Sequence, residues 1–364
     1  MSAIIAVTLV FGGNSGPVFA AEAVPAKPAL TASQFTYDQS DVYTGTGQVA
    51  EILSQPAGVG QISLFYQAAG SSQISSAHPV AVGLYRVFLT TSGNTAFADA
   101  TDYLLLGDYR IVPAQPQTIT QITLSENAIT VSWTPQKNAA NTSGYQIAYY
   151  LKGQTQRYLS VSGAATAKKK LTGLSNSKDY YVKVRAFKTF STGVNAAGVA
   201  TSQINYSSWC KTRLSPYTGM STTLDGYLRK IFHKYGHSHG ALHKYYLYVA
   251  HLPYIGRHHK TLGEKGGWKT WSVKLAKQMY KDHGGNCYRY ASLFCWIARS
   301  MGYNARTYAG TCGGNHAPHG WCQIAYTNGK KVVCDPCMEN EVPSRDWYME
   351  TYAGAPMAYH KGKN

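Results

Sequence analysis

Residues 284–303 read GGNCYRYASLFCWIARSMGY, a cysteine set directly after a Gly-Gly-Asn turn. Asn286 carries the side chain of a helix N-cap, which makes Cys287 the first helical residue. Ala291, Phe294, Cys295 and Ala298 recur at helical spacing, and Leu293 and Ile297 widen the apolar face. The spacing therefore predicts a helix with a broad buried side that stops near Gly302. A thiol in the first turn meets the positive end of the helix dipole, where an anionic sulfur is favoured. A lone helical cysteine is more often a small buried hydrophobe. Its meaning depends on what else the chain brings to it.

A thiol nucleophile needs a base for its proton and a third group to orient that base. The stretch AGTCGGNHAPHGWCQIAY (309–326) offers His316 and His319, with His319 at the start of the strand-like run WCQIAY. KKVVCDP (330–336) reads as a second strand with Asp335 at its end, before Pro336. Cys287, His319 and Asp335 are the candidate nucleophile, base and orienting acid. His316 has no tryptophan two positions on and reads as a loop or entrance residue.

Three local signatures, Gly285-Asn286-Cys287, His319-Gly320-Trp321 and Asp335-Pro336, follow in this order and resemble the transglutaminase-like superfamily over about residues 222–340. The resemblance implies an α+β, papain-like catalytic domain in which the Cys287 thiolate attacks an amide carbonyl. It also implies that His319 protonates the leaving amine and that a thioester forms. The oxyanion hole would include the Cys287 backbone N–H. Trp268 and Trp271 are candidates for a second, indole donor, with core packing as their alternative role.

The region upstream reads as β structure. QVAEI, QISLFYQ, GLYRVFLTT and DYLLLGDYRIV have the composition of short sandwich strands. In its YDQSDV start and GLYRVFL…GDYRIV end this module resembles the bacterial immunoglobulin-like repeats of secreted Gram-positive proteins. The next module contains AITVSW (128–133), GYQIAYY (144–150) and LTGLSNSKDYYVKVRAF (171–187). Val182, Val184 and Ala186 alternate with Tyr181, Lys183 and Arg185, so one face is buried. Leu174 followed by Tyr180 resembles the tyrosine corner of a fibronectin type III domain. Lys168-Lys169-Lys170 reads as a solvated loop. Beyond Leu214-Ser215-Pro216, DGYLRKIFHKYG and SVKLAKQMYKDHG take up helical periodicity. The expected organisation is a signal peptide at 1–20, an Ig-like β-sandwich at 31–113, a fibronectin type III sandwich at 117–208 and the transglutaminase-like domain at 217–364.

The formal charge of +17 is uneven: residues 211–364 carry 21 basic against 8 acidic residues, a net +13. A basic face suits nucleic acid, an anionic wall or a membrane surface. No Walker loop, zinc-finger spacing or RNA-binding aromatic motif accompanies it, so nucleic acid is not expected. The apolar run Ala3–Phe11 followed by Val18-Phe19-Ala20 reads as a signal peptide, and no later run reaches the roughly 18 apolar residues of a membrane span. Export places the protein outside or on the cell, with a protein or peptide substrate and an anionic wall polymer as expected partners.

Of seven cysteines, six lie in 287–337. Setting Cys287 aside leaves an even number, for which Cys334–Cys337 and Cys312–Cys322 are the expected disulfides in an exported domain. The alternative is a zinc site drawn from Cys312, His316, His319, Cys322, Cys334 and Cys337, whose spacing matches no common template. No metal or cofactor is expected. His237-Ser-His239 and His258-His259 read as solvated or rim histidines. Two functional alternatives stand beside amide hydrolysis: protein-glutamine cross-linking through the same triad, and a non-catalytic adhesin. Hydrolysis is preferred over cross-linking because KKVV and TCGGNH make the surroundings basic and Gly-rich, which disfavours an incoming lysine.

Overall fold

A computed structural model describes residues 25–116, 118–137, 139–256 and 267–362. The expected signal peptide at 1–20 and the pair His258-His259 lie outside the described residues. The first region holds a four-stranded sheet in the order Ser40–Val42, Leu104–Val112, Gly83–Ser92 and Gln61–Ala68, and a separate ladder of Thr36–Tyr37 with Ile52–Ser54. The sheet's inner residues, among them Val87, Tyr109 and Ile111, are fully buried.

The second region packs two sheets face to face. One runs Lys168–Thr172, Ala128–Trp133, Ile119–Ser125; the other runs Arg157–Ser162, Gly144–Tyr150, Tyr181–Val194, Ala200–Tyr206, with Arg213–Leu214 on the third strand. The period-two pattern dictates the packing: Val182, Val184 and Ala186 point inward toward Ile129, Val131 and Trp133, and all are buried. The Tyr180 hydroxyl accepts a hydrogen bond from the Ser175 backbone N–H at 3.0 Å, tying the strand entry to the chain just before it. Lys168-Lys169-Lys170 is not a loop. The three lysines occupy an edge strand and stay exposed while Leu171 turns inward. Charges on an edge strand block pairing with another sheet, which is why a strand can look like a solvated run.

The third region contains α1 (Thr222–Tyr235), α2 (Ala241–Ala250), α3 (Gly267–Asp282), α4 (Cys287–Ser300) and α5 (Pro336–Glu341). Its antiparallel sheet runs Glu350–Thr351, Lys331–Cys334, Ala317–Ala325, Ala305–Cys312, Tyr359–Lys361. α4 is buried on nearly every side, between this sheet and α2, α3 and α5. Strand alternation sorts the sheet's side chains. Thr307, Cys322, Ile324, Val332 and Cys334 share the face that carries the main core with α4, and Tyr308, Cys312, Trp321, Val333 and Tyr359 lie on the other. α2, ALHKYYLYVA, is tyrosine-rich and starts without a side-chain cap, its N-cap being Gly240.

The second and third regions share one core. Ile122 and Tyr217 exchange backbone hydrogen bonds at 2.8 and 3.0 Å. His237, expected at a rim, is buried instead: its backbone N–H donates to the Asn176 carbonyl at 3.1 Å and its Nδ1 to the Ser125 carbonyl at 2.7 Å. The turn at Gly236, with φ of 67°, directs the chain onto the sandwich. Burial holds the His237 imidazole below its ordinary value of 6.5 and outweighs the opposing Ser125 hydrogen bond.

A histidine kept neutral in the fold protonates first in the unfolded chain, so its contribution is complete above the ordinary value and is lost as pH falls below it. His237→Asn keeps an N–H donor for Ser125 and removes the titration. The melting temperature of wild type should therefore fall more than that of His237→Asn between about pH 7.5 and pH 5.5. Equal acid losses in thermal melts would show that His237 does not contribute.

Candidate active site

The nucleophile candidate is seated by two close approaches. Gly285 donates its N–H to the Pro253 carbonyl at 3.2 Å and accepts from the Ile255 N–H at 2.8 Å, fixing the turn before α4. A side chain at Gly285 would place its Cβ 2.4 Å from Arg289 Cδ and 2.9 Å from Met279 Sδ. Asn286 caps α4, its side-chain oxygen accepting from the Arg289 N–H at 3.2 Å. Cys287 is thus the first helical residue and is 7 % exposed. Its own N–H belongs to the first turn, whose donors have no acceptor within the helix. The second approach is at Gly320, where a Cβ would lie 2.5 Å from Tyr288 Cδ1 and 3.0 Å from its Cα. The small residue between His319 and Trp321 lets the start of α4 close onto the strand.

His319 and Asp335 come from neighbouring strands. Cys322 opposes Cys334, so Asp335, one step past the strand end, falls diagonally across from His319. His319 Nε2 donates to Asp335 Oδ2 at 2.6 Å, and both residues are buried. The remaining ring nitrogen, Nδ1, is left free to face the Cys287 side chain, which lies close enough to raise the pKa of the imidazole. Burial opposes charge on this imidazole, but the Asp335 carboxylate and the Cys287 side chain outweigh it and hold His319 well above the ordinary 6.5. Cys287, His319 and Asp335 are therefore brought together, the last two hydrogen-bonded, with an imidazole that favours its charged form beside the sulfur.

Asp335 is fully buried and carries more than His319. Its Oδ1 caps α5 by accepting from the Met338 N–H at 3.1 Å. Its Oδ2 also accepts from the Tyr359 hydroxyl at 2.7 Å, and its backbone carbonyl from the Tyr246 hydroxyl at 3.1 Å. Burial and the Asp335 charge push the Tyr359 phenol far up, so it remains a neutral donor. Sequence reasoning missed Tyr359. The signal was the register that sets it opposite Cys312, and nothing local to YHK reveals that pairing.

Other candidates disperse. Trp268 stacks on Trp296 at 6.1 Å, nine residues beyond Cys287 and about 13 Å along α4 by helix rise, and Trp271 is buried in the core. His316 is exposed, in a turn with φ of 50°, its ring 4.7 Å from that of His360. The expected disulfides are absent among the described residues, where all seven thiols are free. Cys312 and Cys322 lie on opposite faces of the sheet, and Cys337 turns into α5, its sulfur 4.0 Å from Glu341 Oε1. The same division of faces separates Cys312 and His319 from Cys322 and Cys334 of the zinc alternative. Among the described residues no three His, Cys, Asp or Glu converge as metal ligands.

The profile of the transglutaminase-like superfamily matches residues 237–336, which include Cys287, His319 and Asp335, and that of the fibronectin type III domain matches residues 114–201. The chain therefore carries a fibronectin type III domain followed by a transglutaminase-like domain of a thiol-enzyme superfamily. It is 32% identical over 107 residues to tyrosine-protein phosphatase 99A of Drosophila melanogaster, a match that covers 28% of this chain and 8% of that protein. Among solved structures it is similar to a two-domain fibronectin type III segment of chicken tenascin, at 16% identity and a TM-score of 0.32, over 52% of this chain and 99% of that one. It is also similar to the FN1–FN3 domains of chicken CNTN1, at 16% identity and a TM-score of 0.24, over 52% and 66%.

All seven cysteines are buried, so exposure alone does not single one out. Burial pushes the thiols of Cys210, Cys312, Cys322, Cys334 and Cys337 up, which keeps them protonated and slow. Cys287 has the charged imidazole. With limiting iodoacetamide, peptide mapping should find Cys287 alkylated first, and His319→Ala should slow that reaction at least about tenfold. Label on another cysteine with Cys287 spared would reject the assignment.

Proposed function

We propose that this chain is an exported thiol amidase that hydrolyses amide bonds of protein or peptide substrates through a thioester on Cys287. The buried His319–Asp335 pair, with its imidazole held charged beside Cys287 at the start of α4, carries this reading. In the first half-reaction the thiolate adds to the amide carbonyl and the new oxyanion is met by the Cys287 backbone N–H. The C–N bond then breaks as His319 passes its Nδ1 proton to the leaving amine, and an S-acyl enzyme remains. In the second half, neutral His319 takes a proton from water as the water oxygen attacks the thioester. The acid departs and the thiolate–imidazolium pair returns. Asp335 holds the ring in the tautomer that presents Nδ1 to sulfur and stabilises the imidazolium.

A lysine in the sheet that carries His319 supports water rather than an incoming lysine as the acyl acceptor. Lys361 lies level with His319 across Gly310, and a lysine side chain approaching it is repelled. The fibronectin type III domain and the signal-peptide reading of residues 1–20 support export. The net positive charge supports work at an anionic surface.

Asp335→Asn is the sharpest test of the orienting role, because Asn is as good a helix cap as Asp and leaves α5 intact. Turnover of the folded variant should fall at least about 100-fold, while its melting temperature falls only by what the lost acceptor explains. Retained turnover would make Asp335 structural. The reaction class is tested by giving the protein casein and a fluorescent primary amine. New amino termini or released ammonia without bound fluorophore is expected. Fluorescent casein whose formation stops in Cys287→Ala would replace hydrolysis with cross-linking, and neither product would favour the adhesin.

A further inference from the structure

The outward face of the fibronectin type III sheet carries an assembly that the thiol chemistry does not use. Tyr158, Ala148 and Lys183 lie side by side across three strands, as do Ser160, Gln146 and Arg185. Residues 207–210 run alongside, the Ser207 N–H donating to the Ala186 carbonyl at 3.0 Å and the Cys210 N–H to the Val184 carbonyl at 2.9 Å. Trp209 is thereby laid over this face. The Arg185 guanidinium sits 3.8 Å from the Tyr206 ring centre and 4.4 Å from that of Trp209, and Lys183 Nζ lies 4.7 Å from Trp209. Tyr158, 56 % exposed, stands 6.2 Å from Trp209. Rings and cations alternate as Tyr206, Arg185, Trp209 and Lys183.

The positive charge of this ladder is not balanced. Arg185 Nε and Nη2 both donate to a single neutral acceptor, Gln146 Oε1, at 2.9 and 2.6 Å. Among the described residues no carboxylate lies within ion-pairing distance of Lys183 or Arg185. Residues 121–210 hold ten basic and two acidic residues. Of those two, Asp179 pairs with His233 at 3.1 Å, and Glu126 lies in the turn between two strands of the opposite sheet. Two cations about 7 Å apart on one strand face, held in place by rings, are fixed before any partner arrives.

We propose that this ladder is a binding site for an acidic polysaccharide, whose carboxylate or phosphate groups meet Lys183 and Arg185 while its hydroxyls meet Gln146, Ser160 and the Tyr158 phenol. Single-stranded nucleic acid fits less well, because base stacking needs open ring faces and the cations already cover those of Trp209 and Tyr206. The site lies on the fibronectin type III domain and does not depend on the amidase reading.

The test uses the whole chain in affinity electrophoresis at about 150 mM salt through gels holding polygalacturonate, a phosphomannan, neutral dextran or no polymer, with oligothymidylate as a competitor in solution. Retardation by one or both acidic polymers is expected, and which one reports whether carboxylate or phosphate is read. Lys183→Gln should weaken it about tenfold, as loss of one charge-assisted contact. Lys169→Gln, an equal charge change on the opposite sheet, should weaken it less than about twofold. Tyr158→Ser, at an exposed position, should also weaken it, which keeps the test valid if Lys183→Gln lowers the melting temperature. No retardation, equal losses in Lys183→Gln and Lys169→Gln, or tighter binding of oligothymidylate would each overturn the proposal.

Discussion

A carboxylate removed entirely from water must find all its partners inside the protein, and Asp335 is such a group. Its two oxygens accept from three donors belonging to a strand, a helix and a distant short strand: His319, Met338 and Tyr359. The arrangement around it is therefore not optional. The sheet must hold its register for His319 to reach Oδ2, and α5 must begin at Pro336 for Oδ1 to be met. Removing one donor leaves the charge buried and short of a partner, a loss larger than that of an ordinary hydrogen bond.

The second constraint is steric. α4 reaches the strand of His319 only because Gly320 has no side chain where Tyr288 lies, and its first turn is held in place by Gly285 among Pro253, Ile255, Arg289 and Met279. The dipole end of α4 and the imidazole are thus fixed relative to each other by contacts that do not involve the sulfur. A site built this way is organised before substrate binds, and little of the substrate's binding energy is needed to assemble it.

Local features carried most of what was legible in the sequence. The Asn286 cap, the helical spacing through Ala298, and the placement of His319 and Asp335 on strands are matters of a few neighbouring residues. The alternating strand Tyr181–Ala186 is of the same kind. What was hidden depends on pairing at long range. Tyr359 acts through a strand register, His237 is buried by the neighbouring domain, and Cys312 and Cys322 are separated by parity along a sheet that their ten-residue spacing does not announce. Lys168–Lys170 misled for a different reason. Charge on an edge strand serves solubility, and period-two burial had only Leu171 to show itself.

The strand Tyr359–Lys361 lies 24 residues beyond Asp335 in the chain, yet it supplies one of that carboxylate's three donors. As a ribosome makes the protein, Cys287, His319 and Asp335 all emerge before the tyrosine that completes their surroundings. Until residue 359 has been added and threaded against the Cys312 strand, the buried charge is short of one partner and the sheet has an open edge. The order of residues along the chain thus acts as a timer. The surroundings of Cys287, His319 and Asp335 are complete only once translation has passed Tyr359, near the end of the third region.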